Sequence, residues 1–594
     1  MKKVRRFAPA GAVLIISLLL AIAAASGQQA ETDAVLKAMQ DELARSVAQL
    51  QLKDLEKPYF IEYAVVEDES FSASATFGAL VRSNRNRNRA LQVQVRVGGY
   101  DFDNTDFISS SALFSPTSFP TTVSVEDDYN ALRRDLWLTT DAAYKQAVEQ
   151  LARKRAFVQN KVEEEKVPDF SREQAAATLA PRQQLQIDQA RWEKQLREWS
   201  NIFRQFPAVQ ESSVTLRVQL THKYLLNSEG TKTRQPAPLV SLEARAATQA
   251  PDGMRLRHSI PFYARSLDQL PPAQEIARAI RQMAEELTGL RTAPVLESNY
   301  SGPVLFISQA SAEMFAQLLA PQLSGQRPPL AEQQQFAAMM GATKSELADR
   351  LNRPVLPSFI SVFDDPAQQA NGNQPLIGAY QADDQGVPAR RVSLIEQGTL
   401  KGLLMSRRPR KEMAQSNGHG RAASLGSASA QIGNLFVQAS GGKSEAELKQ
   451  ELIKMCKSQN LPFGILIKTI SAPGSAGRDG SEGLIIISSD GPRREALSAP
   501  VLAFKVYAED GREELIRGVM AGDISVRALK QITAAGSTGF VHNRLTSGGS
   551  PFSLGGAIPT SVIAPSVLVE EMEFKRPSDA KQKPALLSHP YFTK

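Results

Sequence analysis

Val392-Ser-Leu-Ile-Glu-Gln-Gly-Thr-Leu-Lys-Gly402 carries the pattern that decides the fold class. Val392 and Leu394 lead into Gln397-Gly398, and Leu400 and Leu403 follow. A glycine at the tip supplies the positive φ of a tight hairpin, so the stretch predicts two antiparallel strands. The pattern returns where Phe504 to Tyr507 precede Asp510-Gly511 and Glu513 to Ile516. Gly483 to Ser488 reads as a short apolar strand, and Gly441-Gly442, Gly548-Gly549 and Gly555-Gly556 mark turns or bulges. Beyond residue 300 the chain is therefore expected to be β-rich: an antiparallel sheet or partly closed barrel with a few helices, such as 444–458, attached.

Upstream the periodicity is mixed. Leu36, Met39, Leu43, Val47 and Leu50 follow helical spacing and predict a helix over about 32–53. Tyr59 to Val66 reads as a short strand. Leu91, Val93, Val95 and Val97 alternate with polar residues, the period of a half-buried strand. Arg82, Arg85, Arg87 and Arg89 precede it, interleaved with Asn. They read as a solvated hairpin end, since no aromatic residues interleave as a nucleic-acid platform needs. Tyr144, Val148 and Leu151 share one helical face, and Trp192, Leu196 and Trp199 share another. The polar, proline-broken segment between them fits a helical hairpin. Val214 to Leu220 alternates as a strand, and Ile276, Ile280, Met283, Leu287 and Leu290 line a further helix. The expected class is α+β. An N-terminal α/β domain occupies 28–295 with a helical insertion at about 128–205, a C-terminal β-rich domain occupies 296–576, and 577–594 form a tail.

The chain has 594 residues, with 42% hydrophobic and 22% charged residues, which excludes a fibrous or wholly disordered protein. One cysteine excludes an internal disulfide framework. Lys2, Lys3, Arg5 and Arg6, an uncharged run from Ala10 to Ala25 and the small residues Ala25, Ser26 and Gly27 have the layout of a secretory signal over 1–27. Its removal takes four positive charges and no negative ones from the formal +7, leaving +3. Such a chain is a poor candidate for binding nucleic acid, and it is expected to be exported, periplasmic or extracellular. Contact with a membrane is expected only through that segment, if it stays uncleaved.

Six stretches in order carry a family resemblance: Ser301-Gly-Pro-Val-Leu-Phe306, Val355 to Pro366, Ala382-Asp-Asp-Gln-Gly-Val-Pro388, Ser393 to Gly402, Asn417-Gly-His-Gly-Arg421 and Glu514-Leu-Ile-Arg-Gly518. In these the C-terminal half resembles the TldD/PmbA family, also called the modulator of DNA gyrase family. The resemblance implies a zinc-peptidase fold. Catalytic members carry His-Glu-x-x-x-His on a helix after the Gly-Pro-Val-Leu strand, with a Cys near the C-terminus completing the zinc site.

This sequence departs from that pattern at each point. The motif positions fall on Ala316, Gln317 and Pro321, and the late Cys position falls near Ser547. Alanine has no donor atom, an amide is no general base, and proline cannot ligate through its side chain. The segment reads as a packing helix. The histidines, His222, His258, His419, His542 and His589, form no close pair. Asn417, His419 and Arg421 are the candidate peptide-contacting residues; the alternative is a tight turn with a solvated tip. His542 lies near Ser547 without a visible third partner. Cys456 shares an apolar helix face with Leu448, Leu452 and Met455, and Asp383-Asp384 reads as a turn.

The resemblance thus implies a TldE/PmbA-like pseudopeptidase with no cofactor of its own, zinc being expected only in a partner. Such a chain pairs with a zinc-bearing TldD-like sister, or with a second copy of itself, in proteolysis of unstructured peptides. Two alternatives stand beside this: a hydrolase with relocated catalytic residues, and an exported binding or scaffold protein.

Overall fold

A computed structural model describes residues 33–109, 120–159, 166–333, 344–423, 425–471, 497–547, 557–577 and 589–590. The signal-like segment, the strand expected at 483–488 and the glycine pairs at 548–549 and 555–556 lie outside the described residues. Elements of four residues or more are numbered in chain order, 3-10 turns aside.

Helix α1 spans Ala34–Gln49, and the Asp33 carboxylate caps its first turn by accepting from the Val35 and Leu36 amides. Strands β1 (Phe60–Thr76) and β2 (Ala79–Arg96) form one long hairpin. Both strands are longer than expected. Past Val66 the buried apolar residues are Phe71, Ala73 and Ala75, and the two small alanines hide the alternation behind polar neighbours. The arginine stretch is strand rather than turn. Arg87, Arg89 and Arg182 converge on Glu67, and Arg89 also pairs with Asp127 at 2.6 Å.

Helices α2 (Tyr129–Val158) and α3 (Gln189–Asn201) do form, but they serve different cores. Leu132 and Leu136 of α2 pack with α1 against Tyr63, Val65 and Leu226. Leu196 and Trp199 of α3 pack against Phe71, Ala73 and Val218. The remaining strands are β3 (Glu211–Asn227), β4 (Lys232–Gln249) and β5 (Arg255–Ala264). In the seven-stranded sheet β2, β1, β3, β4 and β5 lie side by side, all antiparallel, with short strands beside β2 and β4. Both helical cores use odd residues of β1 and even residues of β3. Alternation therefore puts them at two ends of one sheet face and leaves the other face, with Glu62, Ala64, Lys223 and Leu225, for the C-terminal half.

Helix α4 (Ala273–Thr292) buries the expected stripe from Ile276 to Leu290 and leads into β6 (Tyr300–Phe306) and α5 (Ser308–Leu318). Then follow β7 (Ile360–Asp364), β8 (Val392–Glu396), β9 (Asn434–Ala439), α6 (Glu445–Ser458), β10 (Phe463–Ile470), β11 (Pro500–Tyr507), β12 (Glu513–Ile516), β13 (Ile532–Ser547) and β14 (Ala557–Lys575). They form an eleven-stranded sheet in the order β8, β7, β9, β14, β6, β10, β11, β12, with the short strand 399–400 beside β8 and with β13 and a second short strand on β14. It is mostly antiparallel, with parallel pairs at β9/β14 and β6/β10. Both expected hairpins are present. At the first, Gln397 has φ 46° and Gly398 φ 76°, and a Cβ on Gly398 would stand 2.3 Å from the Leu356 carbonyl oxygen. Ser444 caps α6 in a capping box with Glu447, and Cys456 is buried on its apolar face.

Candidate functional site

Helix α5 is buried almost all round, through Ala310, Ser311, Ala312, Glu313, Met314, Phe315, Ala316 and Leu318. Ala316, 3% exposed, belongs to the main core. The Gln317 amide is fully engaged: Nε2 donates to Glu313 Oε1 at 2.6 Å and to the Ser471 carbonyl at 3.2 Å, while Oε1 accepts from the Ser498 amide at 2.7 Å. Pro321 is exposed on a 3-10 turn that follows the helix. Ser547 ends β13, its backbone paired with Ala557. These residues do not fit a zinc ion, because none offers an imidazole, thiolate or free carboxylate. Among the described residues no group of three or more His, Cys, Asp or Glu side chains is placed to hold a metal.

One turn earlier on the same helix lies the charged residue that the sequence reading passed over. Glu313 is buried, and His542 Nε2 lies 2.6 Å from its Oε2 and Arg544 Nη2 3.3 Å from its Oε1. Burial alone would raise this carboxyl; Arg544, His542 and Gln317 outweigh it and hold Glu313 below the ordinary glutamate value. His542 therefore partners a carboxylate on α5. The signal was available in the sequence, since Glu313 is the one charged residue of the helix, and a charge buried there needs a partner.

The Asn417–Arg421 segment is not a solvated tip. His419 is 0% exposed; Nε2 lies 3.0 Å from Asp364 Oδ1, and Nδ1 lies 3.1 Å from the Asn417 carbonyl and side-chain oxygens. Asn417 is half-buried and staples the neighbouring chain, donating to the Leu403 carbonyl and accepting from the Met405 amide, both at 2.8 Å. Arg421 is buried with its guanidinium 4.2 Å from the Tyr380 ring centroid. The loop faces inward because Asp364 and Tyr380, far away in sequence, close over it.

Asp383-Asp384 is a turn, and it does more. Asp383 accepts from the Gln385, Val387 and Gly420 amides. Asp384 pairs with Lys223 of β3, which ties this turn of the C-terminal half to the N-terminal sheet. The turn sits tightly on the N-terminal sheet: a Cβ on Gly386, which has φ 77°, would meet Thr231 Cγ2 at 2.6 Å. Arg407 is the second clamp. It is 1% exposed, with Nη1 and Nη2 on Glu229 at 2.8 and 2.9 Å and its guanidinium 3.9 Å from the Phe170 ring centroid. Beside these clamps a cavity of about 250 Å³ lies between the N-terminal sheet, α2 and turns of the C-terminal half, lined by Glu62, Gln94, Gln150, Lys223, Asp383 and Asp384 among others.

Burial pushes Glu62 up to about 7, against Arg407, Arg96 and Asn227 and helped by Asp383. A carboxyl raised in this way favours the folded state below its unfolded value near 4.5, and that advantage is lost as pH rises through 7. Glu62→Gln should therefore be more stable than the parent at pH 8, by on the order of 1–3 kcal/mol, and equal to it near pH 4. Urea denaturation at the two pH values checks this; a variant weaker at pH 8 would contradict it.

Residues 299–576 match the PmbA/TldA metallopeptidase C-terminal domain family. Over these residues, a little under half of the chain, it is similar to the PmbA/TldD family. The fold of TldE from Thermococcus kodakarensis covers 91% of this chain and 100% of that one, at 14% identity and a TM-score of 0.53. A protein described as a modulator of DNA gyrase from Thermotoga maritima covers 90% and 100%, at 16% identity and a TM-score of 0.55. A metalloprotease of Methanocaldococcus jannaschii is 32% identical over 95 residues, 16% of this chain and 20% of that protein. The aligned part therefore spans a fifth of that relative's length. The PmbA/TldD resemblance of the six sequence stretches and the α+β class agree with these likenesses.

Proposed function

We propose that this chain is an exported, zinc-free PmbA/TldD-family subunit that pairs with a zinc-bearing sister in the proteolysis of unstructured peptides. The observation that carries the reading is at the motif positions. Ala316 has no donor and lies in the core, and the Gln317 amide, where a catalytic relative keeps its base, is spent on Glu313, Ser471 and Ser498. Its role is then to supply wall and interface, holding substrate in extended form by strand addition.

The test is metal analysis of the purified mature chain together with a peptidase assay on an unstructured peptide. The reading expects less than a tenth of a zinc per chain, no cleavage by the chain alone, and cleavage when a His-Glu-x-x-x-His sister is added. One zinc per chain, or cleavage by the chain alone that a chelator abolishes, overturns it. Metal-independent cleavage lost in His542→Ala would favour relocated catalysis. Recovery of no family member from envelope extract would favour a scaffold.

A further inference from the structure

The cavity between the N-terminal sheet and the C-terminal turns shares no lining residue with the α5 cluster, and its chemistry is distinct. One wall is the free face of the N-terminal sheet, with Glu62 of β1, Gln94 of β2 and Lys223 of β3; another is Gln150 of α2; the third is the 383–385 turn. The positive charges nearby are committed. Lys223 pairs with Asp384, Arg96 with Asp103 at 2.8 Å, and Arg407 with Glu229. Asp383 has three backbone donors.

Glu62 is different. Its cross-strand neighbour is Asn227, directly opposite in the β1/β3 register and so on the same face. Asn227 is 3% exposed, and its Oδ1 accepts from the Glu229 and Thr231 amides. Its Nδ2 lies beside the Glu62 carboxyl, and Asn227 does not itself line the cavity. Glu62 does line it, and among the described residues no cation forms an ion pair with it. An ionised acid without a counter-charge is costly to bury. A ligand that brings a cationic donor to Glu62 removes that cost.

Size limits the candidates. At about 30 Å³ per water, 250 Å³ is the room of about eight waters. That is far more than a bare cation needs, and it suits a molecule the size of an amino acid. The side-chain amides of Gln94 and Gln150 both donate and accept, which suits a polar body behind the charged group.

We propose that this cavity is a binding site for a small organic ammonium compound of about amino-acid size, with Glu62 as its counter-ion. The ammonium donates to Glu62, and a neighbouring carbonyl or amide of the ligand meets the side-chain amides of Gln94 and Gln150.

Calorimetric titration of the full mature chain tests this, with L-leucinamide as probe and N-acetyl-L-leucinamide as its uncharged counterpart. The expected result is saturable binding of leucinamide at one site per chain, at least tenfold weaker for the acetylated compound and at least tenfold weaker in Glu62→Gln. Ala64→Phe, which fills the cavity beside Glu62, should abolish it. Thermal melts of both variants establish that they are folded; if Ala64→Phe is not, Gln94→Leu replaces it, with weakened binding expected. No binding of leucinamide up to 10 mM, equal binding of the acetylated compound, undiminished binding in folded Glu62→Gln, or calcium binding at the site in place of the amine would each overturn the proposal.

Discussion

Glu313→Gln should cost about 3–5 kcal/mol of stability at neutral pH, the penalty of removing one partner from a buried ionic cluster. Among the described residues the carboxylate is the only anion that Arg544 pairs with, and it takes hydrogen bonds from Gln317 on its own helix and from His542 on β13. Without it a buried guanidinium has no counter-charge, and the join between α5 and β13 loosens. The pH dependence follows from the lowered carboxyl. Its contribution is present in full above the ordinary glutamate value and is lost as pH falls through the lower folded value, so parent and variant should converge in acid. Urea denaturation followed through the transition reads the loss. Adding Arg544→Met should recover most of it, because an apolar replacement no longer leaves a charge stranded. An unchanged urea midpoint for Glu313→Gln at pH 7 would refute the account.

Arg407→Ala should cost about 3–4 kcal/mol, partly the stranded Glu229 and partly the space left against Phe170 and Phe60. Its guanidinium also donates to the Ser171 carbonyl at 2.5 Å, so one side chain ties the C-terminal half to two N-terminal segments. The loss should be local before it is global. Hydrogen exchange should quicken at 171, 227–231 and 383–387 while the β6 and β14 amides keep their protection. Arg407→Lys keeps a charge but loses the two-pronged grip and the ring contact, and should fall between the parent and the alanine variant. Exchange that rises evenly across both sheets, or not at all, would contradict a clamp at this residue.

The hairpins at 397–398 and 510–511, helix α4 and the packing character of α5 were legible because each is written in local pattern: a Gly tip, a 3.6-residue stripe, an apolar face of Ala310, Met314 and Leu318. The full length of β1 was not, since Ala73 and Ala75 carry little hydrophobic signal and their burial depends on α3 arriving from more than a hundred residues away. The same limit applies to the sites. His419 looked like a loop tip because nothing nearby in sequence announces Asp364 or Tyr380. His542 found its partner 229 residues away. The Glu62 cavity was invisible for the same reason: its walls come from β1, β2, β3, α2 and the 383–385 turn, and no local period joins them.

Because the helices cover one face of the N-terminal sheet, its other side is bolted to the C-terminal half at points that include the ion pairs Lys223 to Asp384 and Arg407 to Glu229. Swinging the halves apart would break both bolts and lift Arg407 off Phe170 at once. That is a steep toll for admitting one small molecule. The cheaper doorway is the exposed rim at Gly426 and Ser427, where the Gly426 amide donates to the Gln92 side chain. Traffic through the cavity would then run on the quick clock of a loop rather than the slow one of a hinge.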